Sequence, residues 1–181
     1  MNKQINMDRF YKQLLGKAWP VTTLVIVLSI LSIYLFPVFE KTTAILLVMI
    51  SVALKIFFVI RLSFKQLIKI IGDSHLLSHI LILFCLLIGL IIISFTMDFS
   101  ALHLIDSNAF KNNLTSNSSM PAIVFEYLYH STITFSSVGY GDIVPVSLSA
   151  KTVVMLAIAL RFFVLVFGIA NINQIKVNQK K

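Results

Sequence analysis

The sequence predicts an all-α membrane protein with four transmembrane helices and one shorter helix that enters the membrane and returns to the same side. Of its 181 residues, 58% are hydrophobic and only 12% are charged, and the mean hydropathy of +0.94 lies outside the range of ordinary soluble domains. Four apolar runs approach the ~20 residues needed to cross the hydrocarbon core as a helix. A fifth helical run is too short to cross.

The first two spans, residues 19–36 and 42–60, are joined by only a few residues and therefore predict a tight antiparallel hairpin. The first run ends without a small-residue cleavage site, which indicates a retained span and not a removed signal peptide. The third and fourth spans are expected at 76–97 and 150–172. The chain thus divides into an N-terminal segment (1–18), the hairpin with a basic linker (19–75), a second membrane domain (76–172) and a tail (173–181).

The net charge of +8 is distributed around the spans and is not gathered in a domain that would bind nucleic acid. Basic residues are concentrated on one side of the predicted membrane, eleven against three, which places both termini in the cytoplasm by the positive-inside rule. The eleven are Lys3, Arg9, Lys12, Lys17, Lys55, Arg61, Lys65, Lys69, Lys176, Lys180 and Lys181.

The hairpin lacks the series of basic residues at three-residue spacing that a voltage sensor requires. Lys55 and Arg61 are expected near the cytoplasmic end of the second span, with their charges reaching the membrane surface. Arg61, Lys65 and Lys69 recur every four residues, which favours a basic helix lying on the anionic inner surface. The alternative is that this segment simply continues the second span.

The segment from Asp98 to Met120 is polar and is expected to form an exposed loop after the third span. His75 and His79 are spaced to share a helix face, but no further ligands accompany them, so packing is favoured over metal binding or pH sensing. The single cysteine, Cys85, is read as a packing residue.

A helix should begin at Ser119 or Met120, before Pro121, and cover only about 21 Å.

This short helix leads into Ser137-Val138-Gly139-Tyr140-Gly141-Asp142. The string closely resembles the selectivity filter of potassium channels, usually Thr-Val-Gly-Tyr-Gly-Asp. The resemblance implies that four copies of the loop surround an axis, where the carbonyls of Ser137, Val138, Gly139 and Tyr140 replace the water around K⁺. Gly139 and Gly141 permit the backbone angles that turn consecutive carbonyls to one side. Ser137 replaces the usual threonine but keeps its hydroxyl.

The resemblance also makes the short helix a pore helix whose C-terminal end favours a cation in the membrane. Thr134 and Ser136 lie where that helix passes into the filter. The Tyr129 hydroxyl is placed to hydrogen-bond Asp142 behind the filter and brace it, although simple packing of the ring is an equal alternative. Residues 76–172 thereby become a pore domain of outer helix, turret, pore helix, filter and inner helix.

The fourth span departs from the family at the position where many relatives keep a flexible glycine, which is Arg161 here. Gly168 is the candidate for a hinge lower in that helix. Four Arg161 charges about 6 Å from an ion would together repel it by about 10 kcal/mol at an effective dielectric constant of 20. Either Arg161 turns away from the cavity, which is favoured, or the channel is closed or silent until something moves it.

These features together predict a potassium channel subunit that forms a homotetramer and conducts K⁺ passively. No catalytic constellation or cofactor is expected, K⁺ being the transported ion, and the partners are K⁺ and membrane lipid. The protein is expected in a cell membrane, specifically a bacterial inner membrane. The alternatives are a non-conducting regulatory subunit, favoured by Arg161 and Ser137, or a weakly selective cation channel. A potassium transporter subunit fits less well because such proteins resemble four linked loops with degenerate filters.

Overall fold

The chain folds into five helices and one minimal strand pair in a computed structural model, which describes residues 19–73, 77–115 and 117–178. The predicted all-α class is confirmed. The elements are α1 (19–34), a 3-10 turn (Phe36–Val38), α2 (Lys41–Asp73), α3 (Leu77–Ile105), β1 (Phe110–Lys111), α4 (Met120–Ser136), β2 (Val144–Pro145) and α5 (Leu148–Asn178). The predicted features of residues 1–18 and the tail beyond residue 178, together with His75, lie outside the described residues.

Four helices are long and apolar enough to cross a membrane, as predicted. Their candidate spans are Trp19–Val38, Lys41–Arg61, Phe84–Ile105 and Leu148–Val166. The third span starts near the predicted position but ends later, because α3 covers Leu77–Ile105 and so continues eight residues past the predicted end at residue 97. Asp98 was taken as the start of the polar loop, but α3 continues past it to Ile105. The connecting loop therefore begins at Asp106.

The hairpin closes over a single 3-10 turn. Pro37 occupies the first turn of Phe36–Val38, where its missing N–H is tolerated. The Glu40 carbonyl then accepts the Ala44 N–H at 2.8 Å as α2 begins. With 33 residues, α2 is about 50 Å long, so it must extend beyond a ~30 Å hydrocarbon core. Helix α2 does not break at Arg61. The basic segment therefore continues the second span, which is the alternative to a separate helix on the membrane surface.

Helix α3 lies at the centre of the fold and packs against α2, α4 and α5. The side of α5 that faces this core is a stripe of small and branched residues spaced three or four apart. The stripe is Ala150, Val153, Ala157, Leu160 and Val164. The opposite side of α5 carries exposed apolar side chains, among them Met155, Phe162 and Val166.

An ion pair crosses the buried contact between α2 and α3. The Lys55 Nζ donates to both carboxylate oxygens of Asp98, at 2.5 and 2.7 Å, and the two side chains are only 3% and 1% exposed. The expectation that the charge of Lys55 reaches the membrane surface is therefore wrong. Side chains of a helix lean toward its N-terminus, and α2 and α3 are antiparallel, so the two side chains lean toward each other. Each charge is retained within a span because it neutralises the other.

Candidate functional site

The 137–142 loop starts from a specific type of helix ending. The Val138 N–H donates to the Ile133 carbonyl at 3.0 Å and the Ser137 N–H to the Thr134 carbonyl at 3.3 Å. This is the double hydrogen bond of a Schellman motif, which requires a left-handed residue at the position that usually holds glycine. Ser137 occupies that position with φ 61°. The carbonyls of Ile133 and Thr134 are thus satisfied, and the chain turns sharply into the loop.

The sign of φ alternates along the backbone of the loop. Ser137, Gly139 and Gly141 have φ values of 61°, 56° and 78°, whereas Val138 and Tyr140 between them keep negative φ. In an ordinary strand successive carbonyls point to opposite sides. Reversing the sign of φ at every second residue can cancel that alternation, which permits consecutive carbonyls to turn toward the same side. A row of carbonyl oxygens on one side can replace the hydration shell of a cation.

One chain by itself leaves the 137–142 loop open. Tyr140 is 72% exposed and Val138 49% exposed. No atom lies within 4 Å of the place where a Cβ on Gly139 or Gly141 would sit. Within one chain these glycines are therefore required by their positive φ and not by crowding.

Two polar side chains meet where the loop lies against α4. The Asp142 carboxylate lies close enough to the Tyr129 hydroxyl that their interaction lowers the pKa of Asp142 below its ordinary value and raises the pKa of Tyr129 to about 12. The Asp142 carboxylate also accepts the N–H of Ile143 at 3.0 Å. The structure thus brings together the two residues proposed for a brace. The hydroxyl of Ser136 instead bonds to the Thr132 carbonyl within α4, at 2.8 Å.

The exit of the loop is held by the strand pair, which the sequence analysis missed. Phe110 pairs with Pro145 and Lys111 with Val144. The Ala109 carbonyl also accepts the N–H of Val146, at 2.9 Å. Two residues per strand carry too little periodicity for sequence patterns to detect.

The back of α4 packs into a cluster of aromatic rings. His130 is 4% exposed, and its ring lies 5.2 Å from Phe99 and 5.7 Å from Phe110 between centroids. Neither ring nitrogen has a hydrogen-bond partner among the described residues, and burial lowers the pKa of His130 to about 4. Tyr127 lies in the same cluster and accepts a hydrogen bond from the Asn112 amide at 3.0 Å. These contacts position α4 against α3.

The two residues proposed for the gate or cavity lie away from the loop, on α5. The guanidinium of Arg161 stacks on the ring of its neighbour Phe162 at 4.9 Å, and its Nε is buried without a partner among the described residues. Gly168 is buried against Phe84 of α3, and a Cβ added there would overlap that ring. Close packing between α5 and α3 therefore explains this glycine without a hinge.

Comparison with known families decides the class of protein. A family described as "Ion channel" matches residues 80–177, which is more than half of the chain and includes α4, the 137–142 loop and most of α3 and α5. The chain belongs to this ion channel family. Neither curated proteins nor solved structures gave a match. This ion channel is not an enzyme, and it is a multi-pass membrane protein.

The family match starts at Ile80 and leaves the α1–α2 hairpin outside it. The ion channel therefore has two parts, a matched domain and a hairpin that the family does not describe. The sequence analysis missed the connection between them, the Lys55–Asp98 pair. The sequence did contain a signal for this pair, because two opposite charges in neighbouring apolar spans are energetically costly unless they contact each other. Of the two histidines that the sequence analysis assigned to packing in preference to metal binding, His79 has a side chain outside what the structure describes.

Proposed function

We propose that this ion channel conducts K⁺ selectively through a pore formed by four copies of the chain. The observation that carries the proposal is the alternating sign of φ along residues 137–141, which permits consecutive carbonyls to turn to one side. A dehydrated K⁺ needs oxygens on all sides in place of its hydration shell, and a single exposed loop cannot surround an ion. Four loops around an axis supply the oxygens, and closed cyclic symmetry is the usual form of such assemblies.

In this proposal the carbonyls of Ser137, Val138, Gly139 and Tyr140 form stacked ion sites, and Gly141 allows the chain to turn away after them. Ions advance by mutual repulsion between neighbouring sites. The α4 helix acts as a re-entrant pore helix whose C-terminal partial charge stabilises a cation inside the membrane. Tyr129 and Asp142 hold the loop at one width, while Thr134 anchors its first turn through a backbone hydrogen bond.

The proposed orientation has both termini in the cytoplasm. Lys55 no longer counts because it is buried within its span, yet ten basic residues against three still obey the positive-inside rule. In this orientation the 137–142 loop faces the outside, and the C-terminal ends of α2 and α5 lie at the inner membrane surface.

Arg161 is compatible with conduction because of its position around α5. At 3.6 residues per turn it lies about 55° from the middle of the buried stripe and about 120° from the middle of the exposed face. The side chains of α5 that line a cavity must come from a face left exposed in one chain, such as that of Phe162. Arg161 is therefore proposed to lie at the flank of the α5 contact, away from the permeating ion.

Flux measurements in proteoliposomes containing only this protein test the proposal. We expect uptake of ⁸⁶Rb⁺ driven by a K⁺ gradient, with Na⁺ excluded by a factor of about a hundred or more, as selective carbonyl sites require. The Gly139→Ala variant is the matched loss-of-function control, since alanine at positive φ disrupts the carbonyl row but adds no charge. Equal permeation of Na⁺ and K⁺ would refute the selectivity, and a monomer in bilayers would refute the pore.

A second candidate is a non-conducting subunit that regulates another channel, and Arg161 is the observation that favours it. A charge inside a span is a functional candidate by default. In that case Arg161→Gly would create flux where the native protein has none. Native flux that is unchanged in this variant would exclude the second candidate.

A further inference from the structure

The Lys55–Asp98 pair links the two parts of the ion channel at a buried point. Asp98 belongs to the matched domain, whereas Lys55 comes from α2 of the hairpin. Removing the hairpin would leave a carboxylate buried in α3 without its counter-charge, which is strongly unfavourable in a membrane. The matched domain is therefore electrostatically incomplete without the hairpin.

Helix α1 completes the environment of the pair with serine hydroxyls. The Lys55 Nζ lies 3.4 Å from the Ser29 Oγ, and Ser32 lies 3.4 Å from Ser51 and within hydrogen-bonding reach of Asp98. All three serines are buried. Since charged and polar partners must meet with correct geometry, this arrangement permits one relative position of α1, α2 and α3 and opposes sliding of one helix past another.

The same stretch of α3 that carries Asp98 also positions α4. Phe99, the next residue, packs its ring against His130 of α4. About two turns before Phe99, the Ile92 carbonyl accepts a hydrogen bond from the Ser131 hydroxyl at 2.9 Å. A shift of α3 relative to the hairpin would therefore move the surface on which α4 rests.

We propose that the Lys55–Asp98 ion pair is a positioning element for α4 and the 137–142 loop, through which the hairpin controls opening of the pore. Stability alone does not require an ion pair at this place, because apolar side chains of similar volume commonly replace buried pairs without loss. The pair instead holds α3 in one register beneath α4. The effect on opening rests on the proposed function, while the effect on α4 does not.

The test compares an apolar replacement of the pair with a matched exposed pair. K55M alone leaves Asp98 uncompensated, so the yield of assembled protein should fall about tenfold or more, whereas K55M/D98L should restore it. The control is K41M/D106N, because Lys41 and Asp106 form a 2.9 Å ion pair between the start of α2 and the end of α3 where both are partly exposed. The Lys41–Asp106 pair connects the same part of the fold, but it is not buried.

Two readouts separate positioning from simple stability. In K55M/D98L, amide hydrogen exchange across Met120–Ser136 should be about tenfold faster or more, since α4 rests on a less constrained helix. Open probability in planar bilayers should change about fivefold or more while unitary conductance stays within about twofold, as a change in population requires. K41M/D106N should alter neither.

Wild-type exchange and open probability in K55M/D98L would overturn the proposal, as would equal effects in the control. If the native protein carries no current, the proposed function fails but the exchange measurement still decides the positioning role. Faster α4 exchange in K55M/D98L, with the control unchanged, would then support it.

Discussion

Replacing Ser137 by glycine should stabilise the folded chain while weakening ion binding. Ser137 has a φ of 61° at the end of α4, and a residue with a Cβ costs about 1–2 kcal/mol in the left-handed region. Glycine removes that strain but adds about 0.5–1 kcal/mol of unfolded-state entropy. The net expectation is a gain of about 0.5–1 kcal/mol per chain, which corresponds to about 1–4 °C in the unfolding temperature of a chain this long.

The assay is thermal unfolding of purified S137G in detergent, measured in NaCl and in KCl. In NaCl only the relief of backbone strain should appear, so the variant should melt above the wild type. In KCl a ligand that binds only the folded assembly adds stability according to its affinity. Because S137G lacks the hydroxyl oxygen proposed for the innermost site, the increment from NaCl to KCl should be smaller in the variant.

The control is Ser119→Gly at the start of α4. Ser119 has an extended backbone with φ −68° and makes no side-chain capping bond, so glycine there brings only the entropy cost and should lower the unfolding temperature slightly. Destabilisation of S137G in NaCl would refute the strain argument. An undiminished K⁺ increment in S137G would refute a role for the hydroxyl in ion binding.

Three further variants test separate contacts. Tyr129→Phe removes the hydroxyl that lowers the pKa of Asp142, so it should destabilise the protein at pH 7. That stabilisation is lost as pH falls through the lowered pKa, so the wild-type and variant unfolding temperatures should converge in acid. Gly168→Ala should lower the free energy of unfolding by about 1–3 kcal/mol, because the added Cβ overlaps the Phe84 ring. A smaller residue in place of Phe84 should recover much of that loss. Arg161→Gln should leave unitary conductance within about twofold, because Arg161 is proposed to lie away from the ion. If Arg161 instead faced the pore axis, its replacement would remove about 10 kcal/mol of repulsion and raise conductance by orders of magnitude.

Each of these variants has its own control or contradicting result. Tyr127→Phe removes a hydroxyl bonded to Asn112 on the other side of α4, so it should not change the acid dependence that Tyr129→Phe changes. If Gly168→Ala melts like the wild type, α3 and α5 are not closely packed there. A large rise in conductance on replacing Arg161 would place its charge beside the ion path.

Much of the architecture followed from local sequence. Apolar runs of sufficient length can satisfy their backbone hydrogen bonds in a membrane only as helices, so four spans could be predicted from composition and run length. The start of α4 near Met120 was also predictable, because Pro121 belongs in a first helical turn. The loop at 137–142 was recognisable because its residues resemble a potassium-channel selectivity filter, and both of its glycines have positive φ.

The errors came from charges judged one at a time. Asp98 was treated as the end of a span and Lys55 as a residue near the membrane surface, since an isolated charge in hydrocarbon is costly. Together they form a neutral buried pair, and α3 continues to Ile105, eight residues past the predicted end of the third span. Sequence patterns report the environment of a residue along its own helix but not the identity of its partner on another.

The sequence alone determined that the chain is an all-α membrane protein with four candidate spans, because the hydrophobicity of each span is local to its own segment. Its resemblance to a potassium-channel filter also marked the loop where a cation is proposed to bind. Only the tertiary structure decided that Lys55 meets Asp98, that Phe84 requires Gly168, and that β1 and β2 hold the exit of the loop. Those features depend on contacts between residues distant in the chain. Their energies arise only when the helices pack together.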